Sequence, residues 1–190
     1  IAVPDFAMGA MENVGAVTFR ETLLLIDVEK ATRSELSRSI SVIAHELAHM
    51  WFGDLVTMNW WDGIWLNEAF ASLMEVIASE ATYPEFKLWN EMNQDRSRGF
   101  GVDSLKSSRP VEFEVKSPEE AEEMFDVLTY QKGSTVLRMF ETFIGEESFK
   151  EGVRNYLNKY EYKNTHSSDL WNELTNSSSY NLSEILPTWI

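Results

Sequence analysis

The 190-residue chain has no cysteine. That excludes a disulfide scaffold, a thiolate metal site and a thiol nucleophile, while leaving the compartment open. Basic residues are scarce: 16 Lys and Arg stand against 31 Asp and Glu, for a net charge of −15. Nucleic acid and anionic membrane both call for a basic face, so neither is expected as a partner. Long apolar runs are missing too. The longest strongly apolar run, Leu23-Leu24-Leu25-Ile26, is far short of the roughly 20 residues that a membrane-spanning helix needs. No targeting peptide is visible and the first residue is Ile, so the chain is expected to be part of something longer. There is no internal repeat and no alternation of strand with helix. What remains, 44% hydrophobic and 25% charged, is the composition of a globular protein, and one domain over residues 1–190 is expected.

Periodicity places strand at the start and helix afterwards. Between Ala16 and Asp27, Val17, Phe19, Leu23 and Leu25 fall at even spacing, which predicts a half-buried strand. Thr32 followed by Glu35 predicts a capping box, and Leu36, Ile40, Ile43, Leu47 and Met50 predict the buried stripe of the helix behind it. Further helices are expected at 65–81, at 84–99 behind Pro84, from Ser117-Pro118 onward, and at 129–144, 146–160, 168–176 and 182–189. Residues 99–116 read as a long connection. A little strand followed by much helix implies the α+β class rather than a doubly wound sheet.

The strongest chemical signal is His45-Glu46-Leu47-Ala48-His49, which holds two of the three histidines. Histidines four apart share one helix face, so both imidazoles can converge on one ion. Glu46 lies about 100° round the helix from His45, within reach of a metal-bound water without having to ligate. Zinc then needs a third protein ligand and an open position. Glu68 is the candidate, with Gly53 and Gly63 letting the chain turn back. Glu75, two turns beyond Glu68, could accept the outer N–H of a ligating imidazole; an exposed ion-pair role is equally open. His166 is expected at the surface, and the aromatic group Trp51, Phe52, Trp60, Trp61 and Trp65 in the core. Read alone, Gly9-Ala10-Met11-Glu12-Asn13 is a loop before a strand, and Tyr130 a half-buried core tyrosine.

From His45 to Thr57 and from Trp65 to Phe70 the chain resembles the thermolysin-like zinc aminopeptidases of the aminopeptidase N type. Gly9-Ala10-Met11-Glu12-Asn13 and Tyr130-Gln131-Lys132-Gly133 are similar to two further motifs of that family, in the same order. Ala69 departs from it where glycine is more usual. The resemblance implies a thermolysin-like catalytic domain with one Zn2+ held by His45, His49 and Glu68. It implies Glu46 as general base and Tyr130 as the donor that stabilises the carbonyl oxygen. Glu12 would receive the substrate's free α-amine, with backbone at Gly9 and Ala10 lining the substrate track and Met11 at the first side-chain pocket. The implied activity is release of N-terminal amino acids from peptides. The alternatives are endopeptidase action, epoxide hydrolysis as in a bifunctional relative, and an inert zinc-binding fragment. Family members are longer chains, so a preceding β-rich domain and a following helical domain are expected to pack against this one. A cytoplasmic location is expected, while the triplets Asn176-Ser177-Ser178 and Asn181-Leu182-Ser183, which match the N-glycosylation pattern, keep an extracellular one open.

Overall fold

The N-terminal segment makes little sheet. In the computed structural model, which describes residues 1–190, β1 (Ala2–Val3), β2 (Ala10–Met11) and β3 (Thr18–Arg20) lie in the order β1-β3-β2. β1 runs parallel to β3; β2 runs antiparallel to it, with Ala10 opposite Phe19 and Met11 opposite Thr18. The strand expected through Asp27 ends at Arg20, where a short helix, α1 (Glu21–Leu24), takes over. Residues two apart in a helix lie about 200° apart, so the alternation fails. Leu23 is buried, whereas Leu25 is 68% exposed.

α2 (Arg33–Ala48) starts at the expected cap. Thr32 Oγ1 accepts from the Glu35 backbone N–H at 3.3 Å, and the Thr32 N–H donates to the Glu35 carboxylate at 2.8 Å. After β4 (Val56–Met58) and a 3-10 turn at Trp61–Gly63, α3 (Ile64–Thr82) runs through the middle of the molecule. Every residue from Ile64 to Ala71 is buried, Asn67 and Glu68 included, so the first two turns of this helix are enclosed on all sides. The helix expected from Pro84 begins later. A 3-10 turn at Pro84–Phe86 and Lys87 in the left-handed region precede α4 (Leu88–Asp103), which runs on past Gly99. Ser117 caps α5 (Pro118–Glu123). A wide π-helical turn, Leu128–Lys132, stands where an α-helix was expected to begin, and leads into α6 (Gly133–Ile144). α7 (Glu146–Tyr160) and α8 (Ser167–Asn176) lie where expected. α9 (Leu182–Ile185) is shorter than expected, giving way to a 3-10 turn around Pro187. β5 (Lys163–Thr165), unforeseen, pairs in parallel with β4. Three-residue strands carry too little alternation to be seen in a sequence. The whole is α+β, a small N-terminal sheet followed mostly by helices. No helix is long and apolar enough to cross a membrane.

One core joins α3, α6, α7 and α8. Trp65 stacks on Trp171 with ring centroids 5.3 Å apart, and Phe70 lies 4.4 Å from Phe52 and 6.4 Å from Phe149. Of the aromatic group expected in the core, Phe52 and Trp65 are there, but Trp51, Trp60 and Trp61 are exposed. Trp60 is held at the surface by its indole N–H, which donates to the Val115 carbonyl at 3.0 Å.

The buried face of α2 reverses the expectation. Ser37, Glu46, Ala48 and His49 are buried, whereas Leu47 is 53% exposed and Ile40 and Ile43 only half-buried. The polar face turns inward because α3 offers partners for its histidines. The apolar stripe instead lines a groove of about 880 Å3 between α2, α3 and α7, shared with Trp51, Met74 and Leu157.

Candidate metal centre and active site

His45 and His49, on the last turn of α2 and at its end, point at Glu68 on α3. Their Nε2 atoms are 3.1 Å apart, and Glu68 Oε2 lies 3.1 Å from the first and 3.3 Å from the second. A tetrahedral ion with donors at about 2.0–2.1 Å spaces them about 3.3 Å apart. The triangle is therefore close to the size zinc requires.

The outer nitrogens decide which lone pairs face inward. His49 Nδ1 lies 2.9 Å from the Phe52 carbonyl oxygen, which can only accept, so Nδ1 carries a proton. Gly53, at φ 141°, makes the turn that brings this carbonyl back to the imidazole. His45 Nδ1 likewise donates to Glu75 Oε2 at 3.0 Å. With both Nδ1 atoms protonated, two Nε2 lone pairs and a carboxylate oxygen converge, an arrangement that repels itself unless a cation lies between them. The donor set fits a divalent metal.

Without an ion, the same groups would compete for protons. Burial works against charge on His45, but the Glu68 and Glu75 carboxylates outweigh it and raise its pKa to about 10. Burial is likewise outweighed at His49, chiefly by Glu68. Glu68, in spite of its burial, is held down to about 2 by the two imidazoles. Glu75 thus sits where an outer carboxylate would orient His45 if that imidazole ligates a metal. Glu75→Ala should weaken metal binding at this cluster roughly 10–100-fold, measured by chelator competition; unchanged affinity would leave it a surface acid.

Glu46 is buried, and its Oε2 has no hydrogen-bond partner. Burial pushes its carboxyl up to about 7, against the pull of the histidine charges. A carboxyl so placed can exchange a proton near neutrality. Tyr130 stands on the π-helical turn with its ring 6.1 Å from that of His45, inclined by 22°. Burial first, and then the carboxylates of Glu68, Glu12 and Glu46, push the phenol well above its ordinary range, so it stays a donor. Gly133, next in the chain after the turn, is required by packing. A Cβ there would lie 2.8 Å from the Cβ of Ala69, the fully buried residue at which the family pattern is broken.

Glu12 follows β2 directly, and its charge is felt by Glu46, His49, Asp54 and Tyr130. The loop before it is tied down by Arg20, whose Nε donates to the Phe6 carbonyl at 2.8 Å and whose Nη2 donates to that of Ala7. Met11 is exposed, and Gly9 and Ala10 are half-buried. Gly9 has room for a Cβ, 3.8 Å from Leu23 Cδ1, so nothing within this chain demands glycine there. His166 is exposed and outside the cluster. Sequence reasoning passed over Asp54, whose Oδ2 is buried without a partner and whose carboxyl is raised by burial and by Glu12. A lone acid after a motif carries no signal of its own.

Residues 1–189 match the Peptidase family M1 domain. Over its whole length the chain is 49% identical to probable aminopeptidase 2 of Sulfurisphaera tokodaii. It is 47% identical to leucyl aminopeptidase of Saccharolobus solfataricus and 45% identical to puromycin-sensitive aminopeptidase of Caenorhabditis elegans. It spans 24%, 24% and 20% of these relatives. A family domain matched across residues 1–189, with nearly half of all positions shared with each of these relatives, settles the kinship: the chain belongs to peptidase family M1.

Proposed function

We propose that residues 1–190 form a thermolysin-like catalytic domain of a zinc aminopeptidase, which removes N-terminal amino acids from peptides. The observation that carries this reading is the convergence of His45, His49 and Glu68 within 3.3 Å of one another beside a buried carboxylate, Glu46, with an unpartnered oxygen. Those three residues would hold one Zn2+. When bound, zinc supplies Lewis-acid polarisation of the scissile carbonyl and of the attacking water. Glu46 takes the proton of that water at Oε2 and passes it to the departing amine nitrogen. Tyr130 donates its phenol hydrogen bond to the carbonyl oxygen as negative charge gathers there. Glu12 accepts from the protonated α-amine, a charge-assisted bond that brings the first peptide bond within reach of Glu46 and Tyr130. An internal or acetylated peptide has no cation to offer and leaves Glu12 unpaired. In a chain of the relatives' length, further segments would cover the apolar groove in which Leu47 and Trp51 stand exposed.

The test is hydrolysis by the full-length protein of one peptide with a free amino terminus against the same peptide N-acetylated, with zinc assayed alongside. The expected result is cleavage of the free form alone, lost with a chelator. Cleavage of both would mean an endopeptidase, and bound zinc with neither cut would overturn the peptidase reading. In the same assay Glu12→Ala should cost about 1.5–3 kcal/mol in kcat/KM, the worth of a hydrogen bond to a charged group.

Zinc affinity should rise with pH. The raised pKa of His45, about 10, means that a proton occupies it at neutral pH and must leave when a cation enters. From about pH 6 to about pH 9 this group alone tightens binding roughly tenfold per pH unit. Glu68, already ionised, releases nothing. Chelator competition at several pH values measures the slope, and a flat profile would contradict it.

A further inference from the structure

We propose that Asp126, clamped by Arg109, is a positioning residue for Tyr130: it holds the wide turn that aims the phenol at the metal centre. This rests on the role given to Tyr130 above. The turn Leu128–Lys132 is π-helical, a wider and more poorly bonded coil than an α-helix. At the start of such a segment the first N–H groups have no partner within it. Here Asp126 takes them. Its Oδ1 accepts from the N–H of Leu128 at 2.9 Å and of Thr129 at 3.1 Å, while its carbonyl accepts from the N–H of Tyr130 at 3.1 Å. One residue thus holds three consecutive amides up to the tyrosine itself.

Asp126 is held in turn. Arg109 Nη2 donates to Asp126 Oδ1 at 2.7 Å and to Thr129 Oγ1 at 3.1 Å. Its Nη1 donates to the carbonyls of Pro110 at 2.7 Å and Val111 at 3.1 Å, and its guanidinium lies 5.0 Å from the centre of the Phe113 ring. Val111 and Thr129 are fully buried, so both ends of the clamp are anchored. At the far end of the turn, Lys132 Nζ meets Asp103 Oδ1 at 2.8 Å, and Ser108 Oγ donates to the same oxygen at 3.0 Å. Neither Asp126 nor Arg109 shares an element with the proposed metal ligands, which stand on α2 and α3. Loss of the clamp should therefore displace the phenol and leave the ligands in place. A displacement of about 1 Å in a reacting geometry can cost roughly a hundredfold in rate.

The test uses the full-length protein and a peptide with a free amino terminus. Asp126→Ala should lower kcat roughly tenfold to a hundredfold, with zinc content and KM within about twofold of wild type. Asp126→Asn keeps an oxygen that can accept from both amides and should recover most of that loss. In a Tyr130→Phe background Asp126→Ala should cost less than about twofold, because a residue that acts through the phenol has nothing left to position. A full additional loss in that background, or a wild-type kcat for Asp126→Ala, would overturn the proposal. Should Asp126→Ala fail to fold, Arg109→Gln takes its place in the same cycle with the same expectations. If Tyr130→Phe itself keeps its turnover, the role of Tyr130 fails and the clamp's with it. If Tyr130→Phe is crippled and the clamp variants are not, only the positioning fails.

Discussion

Glu46→Gln should remove nearly all turnover while leaving zinc bound. Gln has the shape of Glu and fills the same buried space, but its amide cannot take a proton from water. Loss of a positioned general base costs roughly a hundredfold to ten-thousandfold in kcat. Zinc should stay, because Glu46 is not one of the converging donors His45, His49 and Glu68. The same change should stabilise the metal-free protein, and only at higher pH. The Glu46 carboxyl lies near 4.5 in an unfolded chain and about 7 in the folded one. Folding therefore disfavours its ionised form. That penalty is absent below the unfolded value, grows as pH rises and is complete above about 7. The metal-free variant should accordingly melt above wild type at about pH 8, with the difference vanishing toward about pH 4. Turnover near wild type, or loss of zinc with activity, would remove Glu46 from the role of base. Such a trade of stability for activity is what a desolvated catalytic acid would impose.

Tyr130→Phe should lower kcat roughly a hundredfold to a thousandfold, about 2.7–4 kcal/mol of transition-state stabilisation. Only the hydroxyl is removed, so the ring can keep its place beside His45. A donor that matters most as negative charge forms on the carbonyl oxygen changes kcat far more than KM. Because burial and the surrounding carboxylates keep the phenol protonated far above neutrality, the ratio of wild-type to variant kcat should be flat with pH across the neutral range. A raised KM with unchanged kcat would place Tyr130 in ground-state binding instead.

How much of this is legible along the chain depends on the reach of each interaction. The spacing of His45 and His49 is enough to put both imidazoles on one helix face, and Thr32 with Glu35 is enough to start that helix. The seven residues from Glu68 to Glu75 are enough to put both acids on one side of α3. Apolar spacing misjudged which face of α2 is buried. Periodicity reports that a helix has two faces, and the inward one is chosen by what the neighbouring element offers: α3 offers Glu68 and Glu75 to the polar face. The even spacing around Leu23 and Leu25 misled for a related reason, since alternation holds only while the backbone stays extended.

The π-helical turn under Tyr130 left no trace in the sequence, because an i→i+5 coil has no hydrophobic period of its own over five residues. Its holders lie apart along the chain: Arg109 is 17 residues from Asp126, and Asp103 is 29 from Lys132. The class of fold, most helices, one cap and the pair of histidines were determined by the sequence itself, because each depends on residues within a turn or two of one another. The size of the triangle of His45, His49 and Glu68, the protonated outer nitrogens, the desolvation of Glu46 and the clamp on Tyr130 were decided only by tertiary structure. Each of these needs groups from separate elements held to within a few tenths of an ångström, and only the packed core supplies that rigidity.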